Sequence, residues 1–348
     1  MPDKPLTYEA TGVSIAAQDE AIARFRAAVE ATHGPEVLAG VGAFGAAFAP
    51  QLDGFAQPVL VNSTDSLGTK TILHSRFRTW EWAGRDVVGC VVNDIIVSGA
   101  RPLFFLDYLA LNKVVPDEVA AIVSGVAAGC QEIDCALIGG EVAEMNDVYS
   151  PGDFDLVGFA VGLVDRDRMN GPQQVSAGDV LIGLSSTGVH CNGFSLARRA
   201  LADMTDDEWL AVDPSLGTSL RDALLRPTRC YANEMMALTE RFSIAAAAHI
   251  SGGGLIDNVP RVLPAELAAR IDRNGIDRPP VFDIIQRRGR VTDDEMWHVF
   301  NMGVGFVVVA KSDEADQVME FCKERQYGAA VIGDVARSDG GSRFIWRA

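Results

Sequence analysis

The sequence predicts an α/β (α+β) protein of two domains, and three observations carry that reading. Apolar runs of strand length alternate with segments of helical periodicity along the chain. A length of 348 residues suits two domains of roughly 100–200 residues. A polar stretch from Asp165 to Gly178, with Asn170-Gly171-Pro172 inside it, breaks the pattern near the middle. The boundary is placed there, giving domains 1–168 and 169–348.

The elements follow in order. Residues 18–31 predict an amphipathic helix, with Ile22, Phe25 and Val29 at helical spacing. The glycine-rich run 40–45 follows. Gln57–Val61 is a short strand leading into a loop, Thr64-Asp65-Ser66-Leu67-Gly68-Thr69-Lys70. From Asp86 to about Ser98 the pattern is helical and apolar nearly all round, so that helix is buried, with Asp86 as its N-cap. Pro102–Ala110 reads as a strand. Pro116-Asp117 opens a helix with Val119, Ile122, Val126 and Cys130 on one face. Ala136–Ile138 is a buried strand ending at Gly139-Gly140-Glu141, and Phe154–Val164 is a longer one. In the second half, Val180–Leu184 is a strand, a helix begins near Asn192-Gly193, and another ends near Phe242. Val304–Val309 and Ala330–Ile332 are late strands.

Composition excludes several classes. Hydrophobic residues make up 48% and charged residues 22%, as in a soluble globular protein. The net charge of -17 argues against nonspecific nucleic-acid binding and against docking on an anionic membrane. It leaves room for an anionic small molecule, since a few cations, backbone N–H groups or Mg²⁺ can reverse the field locally. No run approaches the roughly 20 apolar residues of a membrane span. The start, Met1-Pro2-Asp3-Lys4-Pro5, lacks the apolar core of a signal peptide, so a cytoplasmic location is expected. The six cysteines show no CxxC spacing and read as free thiols in a reducing compartment. There is no GxSxG elbow and no HExxH.

The residues that could do chemistry are few. Asp65 follows a strand, Asp94 sits in an apolar helix pattern, and Glu141 follows two glycines at a strand end. Carboxylates in apolar settings are costly unless paired or bound to metal, and their oxygens suit Mg²⁺ carried with nucleotide phosphates. Each also has a structural reading: a turn cap for Asp65, an arginine partner for Asp94, a helix cap for Glu141. Gly68 and Thr69 lead to Lys70, where bare backbone and an ammonium could meet phosphate oxygens. Gly42 and Gly45 offer a second such contact, although the run is neither a Walker A loop nor GxGxxG after a strand. Gly140 precedes Glu141 in the same sense. His190 and His249 stand beside Gly and Ser clusters and are the candidates for proton transfer near neutral pH. Gly252-Gly253-Gly254 marks a close backbone approach or an anion-binding turn.

These residues, with Asn93-Asp94, the run Pro102-Leu103-Phe104-Phe105-Leu106-Asp107-Tyr108, Gly139-Gly140-Glu141, Ala143-Glu144-Met145, His249 to Gly254, Asn258-Val259-Pro260-Arg261 and Phe300 to Gly305, resemble the phosphoribosylformylglycinamidine cyclo-ligase family over nearly the whole chain. The resemblance implies two α/β domains, with the N-terminal mixed sheet joining a partner's sheet in a barrel, hence a homodimer. It implies ATP with Mg²⁺ as cofactors: Asp65, Asp94 and Glu141 as metal and phosphate carboxylates, Lys70 as the phosphate lysine, and His190, Asn192 and His249 lining a cleft from the second domain. The implied reaction is ATP-driven ring closure of formylglycinamidine ribonucleotide, a phosphoribosyl substrate, to aminoimidazole ribonucleotide in purine biosynthesis. His249 or His190 is the candidate base. The alternatives are a divergent relative that activates a different small substrate with ATP, and a nucleotide-binding protein without turnover. Where the family usually has Asp-Gly-Val-Gly-Thr-Lys, this chain has Asp65-Ser66-Leu67-Gly68-Thr69-Lys70.

Overall fold

The computed structural model describes residues 6–347; the N-terminal run read above for a signal peptide lies outside them. The chain divides into two compact units. One comprises residues up to Asp53, Asn62–Val91 and Pro102–Val161; the other comprises Gly54–Val61, Val92–Arg101 and the chain from Gly162 onward.

In chain order the first half holds α1 (Ile15–Glu30), β1 (Val37–Ala39), β2 (Ala47–Phe48), β3 (Pro58–Ser66), α2 (Thr71–Phe77) and α3 (Trp80–Ile96). It continues with β4 (Arg101–Leu111), α4 (Pro116–Gln131), β5 (Ala136–Glu144) and β6 (Phe154–Asp165). Strands β3, β6, β4 and β5 form a four-stranded sheet in that order, with β4 and β5 parallel. Helix α1 starts on the Ser14 side chain, which accepts the Ala17 N–H, and buries Ala21, Phe25 and Val29. It packs on α4, whose Val119, Ile122, Val126 and Cys130 are buried as their spacing predicts. Pro116 occupies the first turn of α4, where a missing N–H costs nothing.

Three boundaries in the first half differ from the sequence reading. Helix α3 begins at Trp80, so Asp86 lies inside the helix rather than capping it. Strand β3 runs to Ser66 and absorbs half of the expected Thr64–Lys70 loop; β5 likewise runs through Gly139-Gly140 to Glu144.

The second half continues with β7 (Val180–Ser185), α5 (Phe194–Ala200), α6 (Asp206–Leu210), β8 (Val212–Asp213), β9 (Thr218–Ser219), α7 (Leu220–Leu225), α8 (Ala232–Arg241) and β10 (Ile244–His249). Then come α9 (Gly254–Asn258), β11 (Leu267–Ile271), α10 (Pro280–Gly289), α11 (Asp293–Val299), β12 (Val304–Ala310), α12 (Ala315–Glu324), β13 (Ala329–Arg337) and β14 (Phe344–Trp346). A six-stranded sheet has the order β10-β12-β7-β13-β11-β14, antiparallel throughout except for β11 with β14. Every residue of β10 and β12 is buried, which is why Val304–Val309 of β12 reads as an apolar run. Cys130, Cys135, Cys230 and Cys322 are free thiols.

Candidate active site

The first unit carries two groups of candidate residues. After β3 the chain makes a single 3-10 turn, Gly68–Lys70, and enters α2 directly. Gly68 has φ +54 with open space around it, so conformation rather than crowding selects glycine there. Thr71 Oγ1 donates to the Gly68 carbonyl at 2.9 Å and tightens the turn. The Ser66 N–H donates to Asp65 Oδ1 at 2.7 Å, and Ser66 Oγ accepts the Gly68 N–H at 3.4 Å. The Ser66 side chain thus folds back on its own turn. Asp65 is exposed. A cavity of about 300 Å³ beside the turn is lined by Ser66, Gly68, Thr69, Tyr149 and Asp155 among others.

Lys70 is fully buried, and its Nζ lies 2.6 Å from Asp86 Oδ2. His74, one helical turn on, contacts the same oxygen through Nε2 at 2.9 Å, while its Nδ1 meets Thr79 Oγ1 at 2.7 Å. Burial pushes the Asp86 carboxyl up, but the Lys70 ammonium and the His74 ring outweigh it, and the net shift is downward: Asp86 is ionised. Burial lowers both Lys70 and His74. His74 is therefore neutral near pH 7, donating from Nε2 and accepting from Thr79 at Nδ1. The lysine expected on phosphate is held at the core end of its turn. Read as a helix N-cap, Asp86 carried no mark of this cluster in the sequence.

The second group sits around β5. Gly42, Gly140 and Glu141 line one cavity of about 200 Å³, together with Asp107 of β4 and apolar side chains of α1 and α4. Gly45 does not line it. A Cβ on Gly140 would lie 2.5 Å from Asp107 Oδ1 and 2.6 Å from its carbonyl oxygen, so this glycine is required by close approach. Burial pushes the Asp107 carboxyl up to about 7. Glu141 is exposed, as is Asp65, so neither carboxylate stands in the apolar setting expected of it. Glu144, quoted above only for its motif, is buried and accepts the N–H groups of Ser14 at 2.6 Å and Val114 at 2.8 Å, tying the start of α1 to the β4–α4 connection.

Within the second unit, His249 ends β10, and its Nδ1 lies 2.9 Å from Asp94 Oδ1. The Asp94 side chain keeps 37% of its surface exposed. Its neighbour Asn93 is buried, accepting the Tyr231 N–H at 2.9 Å and donating to the Arg229 carbonyl at 2.8 Å. The glycines after His249 mark a close backbone approach. Gly254 has φ +57, and a Cβ there would meet the Trp297 carbonyl at 2.5 Å. Asn258 Nδ2 donates to the Gly252 and Gly254 carbonyls at 3.0 and 2.9 Å. Asn192 Oδ1 lies 3.3 Å from where a Gly252 Cβ would be. His190 is buried with φ +63, and its Nε2 accepts the Thr187 N–H at 3.2 Å. With that lone pair engaged, His249 is the better placed of the two to take a proton.

Among the described residues, no three His, Cys, Asp or Glu side chains stand together as a metal site. Mg²⁺ commonly needs only one or two carboxylates plus substrate phosphates. The exposed, hard oxygens of Asp65 and Glu141 fit that pattern in kind.

The chain matches two family models: AIR synthase related protein, N-terminal domain, over residues 54–164, and AIR synthase related protein, C-terminal domain, over 176–345. A phosphoribosylformylglycinamidine cyclo-ligase of Carboxydothermus hydrogenoformans is 43% identical over 334 residues, covering 96% of this chain and 97% of that protein. One from Geobacillus kaustophilus is 44% identical over 333 residues, covering 96% of each. Among solved structures, thiamine-monophosphate kinase of Stenotrophomonas maltophilia has a TM-score of 0.67 at 20% identity, covering 94% of this chain and 95% of its own. E. coli HypE has a TM-score of 0.66 at 16% identity, covering 95% and 94%. At these identities the two structures show the fold alone.

Proposed function

The chain belongs to the phosphoribosylformylglycinamidine cyclo-ligase family, and we propose that it closes formylglycinamidine ribonucleotide to aminoimidazole ribonucleotide, driven by ATP, in purine biosynthesis. The observation that carries this is identity of 43–44% with cyclo-ligases over 96% of the chain. ATP use is further supported by a fold neighbour, a hydrogenase maturation protein HypE solved in complex with ATP, with a TM-score of 0.65.

The formyl amide oxygen attacks the γ-phosphorus of ATP, and the bond to ADP breaks. The nitrogen that enters the ring then attacks the activated carbon, phosphate leaves, and a proton is lost from that nitrogen. Such chemistry is mostly positioning and charge neutralisation. In the N-terminal domain, residues 1–168, we assign Asp65 and Glu141 to Mg²⁺, which when bound supplies charge neutralisation at the phosphates. Gly42, Gly45, Gly68, Thr69 and Gly140 offer backbone to the nucleotide, and Lys70 fixes the turn that presents them. In the C-terminal domain, residues 169–348, His249 takes the proton at Nε2. Asp94 holds its Nδ1–H, a positioning role that its 2.9 Å contact favours over metal binding. Exposed apolar side chains of the first unit, Leu38, Phe44 and Tyr108, support a homodimer. We place the enzyme in the cytoplasm; among the described residues no helix is long and apolar enough to cross a membrane.

The test is direct. Purified chain with ATP, Mg²⁺ and formylglycinamidine ribonucleotide should release ADP and form an aminoimidazole detectable by diazo coupling. ATP binding without that product refutes the assignment.

A further inference from the structure

We propose that Asp155 recognises the amidine of formylglycinamidine ribonucleotide, accepting a hydrogen bond from the nitrogen that stays outside the ring and so telling this substrate from its amide analogue. The inference rests on the cyclo-ligase reading and adds to it a residue that chooses the substrate.

Asp155 lines the cavity of about 300 Å³ beside the Gly68–Lys70 turn. That volume is at the low end of the ~300–1,000 Å³ of sites that enclose a drug-sized ligand. It suits the formylglycinamidine arm rather than the whole ribonucleotide. Ser66, Thr69 and Tyr149 bring hydroxyl-bearing side chains to the lining, and Ile72 and Phe154 bring apolar ones. Gly68 and Thr69, assigned above to the nucleotide, belong to the same lining. An arm held here therefore lies beside the phosphates that its formyl oxygen must reach. The Leu67 N–H donates to the Leu156 carbonyl at 3.2 Å, which fixes the start of β6, Asp155 included, against the turn.

The charge of the cavity selects a cation. No Lys, Arg or His is among its described lining residues, and its two acids are Asp153 and Asp155. Such a lining repels the substrate's phosphate and attracts an amidinium. Asp155 is half-buried, and among the described residues its carboxylate has no hydrogen-bond or ion-pair partner. Other covered acids of the first unit are paired, Asp86 with Lys70 and Glu118 with Arg78. A carboxylate left alone part-way into the protein is costly, and a cationic ligand relieves that cost. Tyr149 feels the same charge: burial, and then Asp155, push its phenol up, so it stays a donor. An amidine is a strong base, carried at neutral pH as a planar cation that meets a carboxylate as a guanidinium does. Loss of the proton from the ring nitrogen leaves the outer nitrogen as an amino group, and Asp155 accepts from it. The lone pair of the ring nitrogen is then free for the formyl carbon, and the outer nitrogen becomes the product's amino group. The amide analogue, formylglycinamide ribonucleotide, puts a carbonyl oxygen in place of the outer nitrogen and meets Asp155 acceptor to acceptor.

The experiment compares wild type with Asp155→Asn and, as a control on the same cavity, Asp153→Asn, whose exposed acid is given no contact. The diazo-coupling assay measures KM for the substrate, KM for ATP at several Mg²⁺ concentrations, and the inhibition constant of formylglycinamide ribonucleotide. Wild type should bind the amide analogue far more weakly than the substrate. Asp155→Asn should raise the substrate KM about 10- to 100-fold, the worth of a charge-assisted hydrogen bond. It should leave the KM for ATP unchanged and tighten the amide analogue, because asparagine can turn a donor toward the carbonyl oxygen. A merely structural loss would weaken substrate and analogue together. Wild type that binds the analogue as tightly as the substrate overturns the inference without any variant. A preference unchanged in Asp155→Asn, or moved as far by Asp153→Asn, also overturns it. So does a loss that falls on the KM for ATP or is restored by added Mg²⁺, because Asp155 would then be a metal or nucleotide ligand. A wild-type chain that binds ATP and forms no aminoimidazole overturns the cyclo-ligase reading, and the inference falls with it.

Discussion

Removing either partner of the Lys70–Asp86 pair should destabilise the protein strongly, and removing both together should do so far less. Lys70, Asp86 and His74 are each fully buried, with Asp86 Oδ2 at 2.6 Å from Lys70 Nζ and 2.9 Å from His74 Nε2. Asp86→Leu leaves a buried ammonium beside a histidine that has lost its acceptor. Lys70→Met leaves a buried carboxylate facing the neutral His74 without its ammonium. Breaking a buried pair from one side costs about 3–5 kcal/mol, whereas an apolar replacement of similar volume is often close to neutral. The double substitution should therefore recover at least about 3 kcal/mol of the summed single losses. For a domain of this size, each single change lowers Tm by roughly 6–20 °C. Thermal and urea unfolding of the four proteins measures the coupling. Single losses under about 1 kcal/mol, or a double loss equal to their sum, would refute the buried-pair argument. Acid adds an independent check. Both His74 and Asp86 have folded pKa values below their ordinary ones. Their contributions are present above the unfolded values and are lost as pH falls through the folded ones. The His74 part should thus fade as pH falls below about 6.5, its ordinary value, and Asp86 should follow below about 3.8.

Two further predictions concern the second unit. Gly254→Ala forces a side chain into φ +57 and puts its Cβ 2.5 Å from the Trp297 carbonyl; it should cost roughly 2–4 kcal/mol by thermal unfolding. Gly252→Ala has its nearest neighbour at 3.3 Å and no positive φ, and should be milder; equal losses would mean the backbone approach at Gly254 is not the constraint. Asp94→Asn should lower kcat by about 100-fold or more with little change in the KM for ATP, and adding His249→Ala should make it little worse. Multiplying losses would show that the two residues do not act as a unit.

Much of the fold was legible because local pattern and tertiary burial agree. Helix α4 shows its buried stripe openly in Val119, Ile122, Val126 and Cys130, and the fully buried β12 reads as one apolar run. The boundaries that were missed lie where long-range packing overrides local signals. Gly84 looks like a weak point before Asp86, yet α3 runs through it. A Cβ at Gly84 would meet the Ile122 carbonyl at 2.1 Å, and one at Gly125 would meet the Glu81 carbonyl at 2.1 Å. These two glycines let α3 and α4 cross with their backbones nearly touching, a pairing no local window contains. Glycine's helix penalty of about 1 kcal/mol is outweighed by the packing it permits. Strand β3 was cut short for a related reason: Asn62, Ser63 and Thr64 look like loop chemistry, yet hydrogen bonding to a neighbouring strand keeps them extended, with Thr64 Oγ1 also donating to the Gly158 carbonyl at 2.8 Å.

The candidate site divides along the same line. Residue types suited to phosphate and proton chemistry could be picked out singly, and spacing hinted at none of their partners. His249 meets Asp94 from 155 positions away, and Gly140 makes room for the carboxyl of Asp107, 33 residues earlier and on another strand. Asp107 was visible only as part of a matching run, because an acid inside Leu-Asp-Tyr on a strand carries no mark of its surroundings. Its setting, the bare backbone of Gly140 and the apolar side chains of α1 and α4, comes from elements far away in sequence, and only their packing together pushes the carboxyl up.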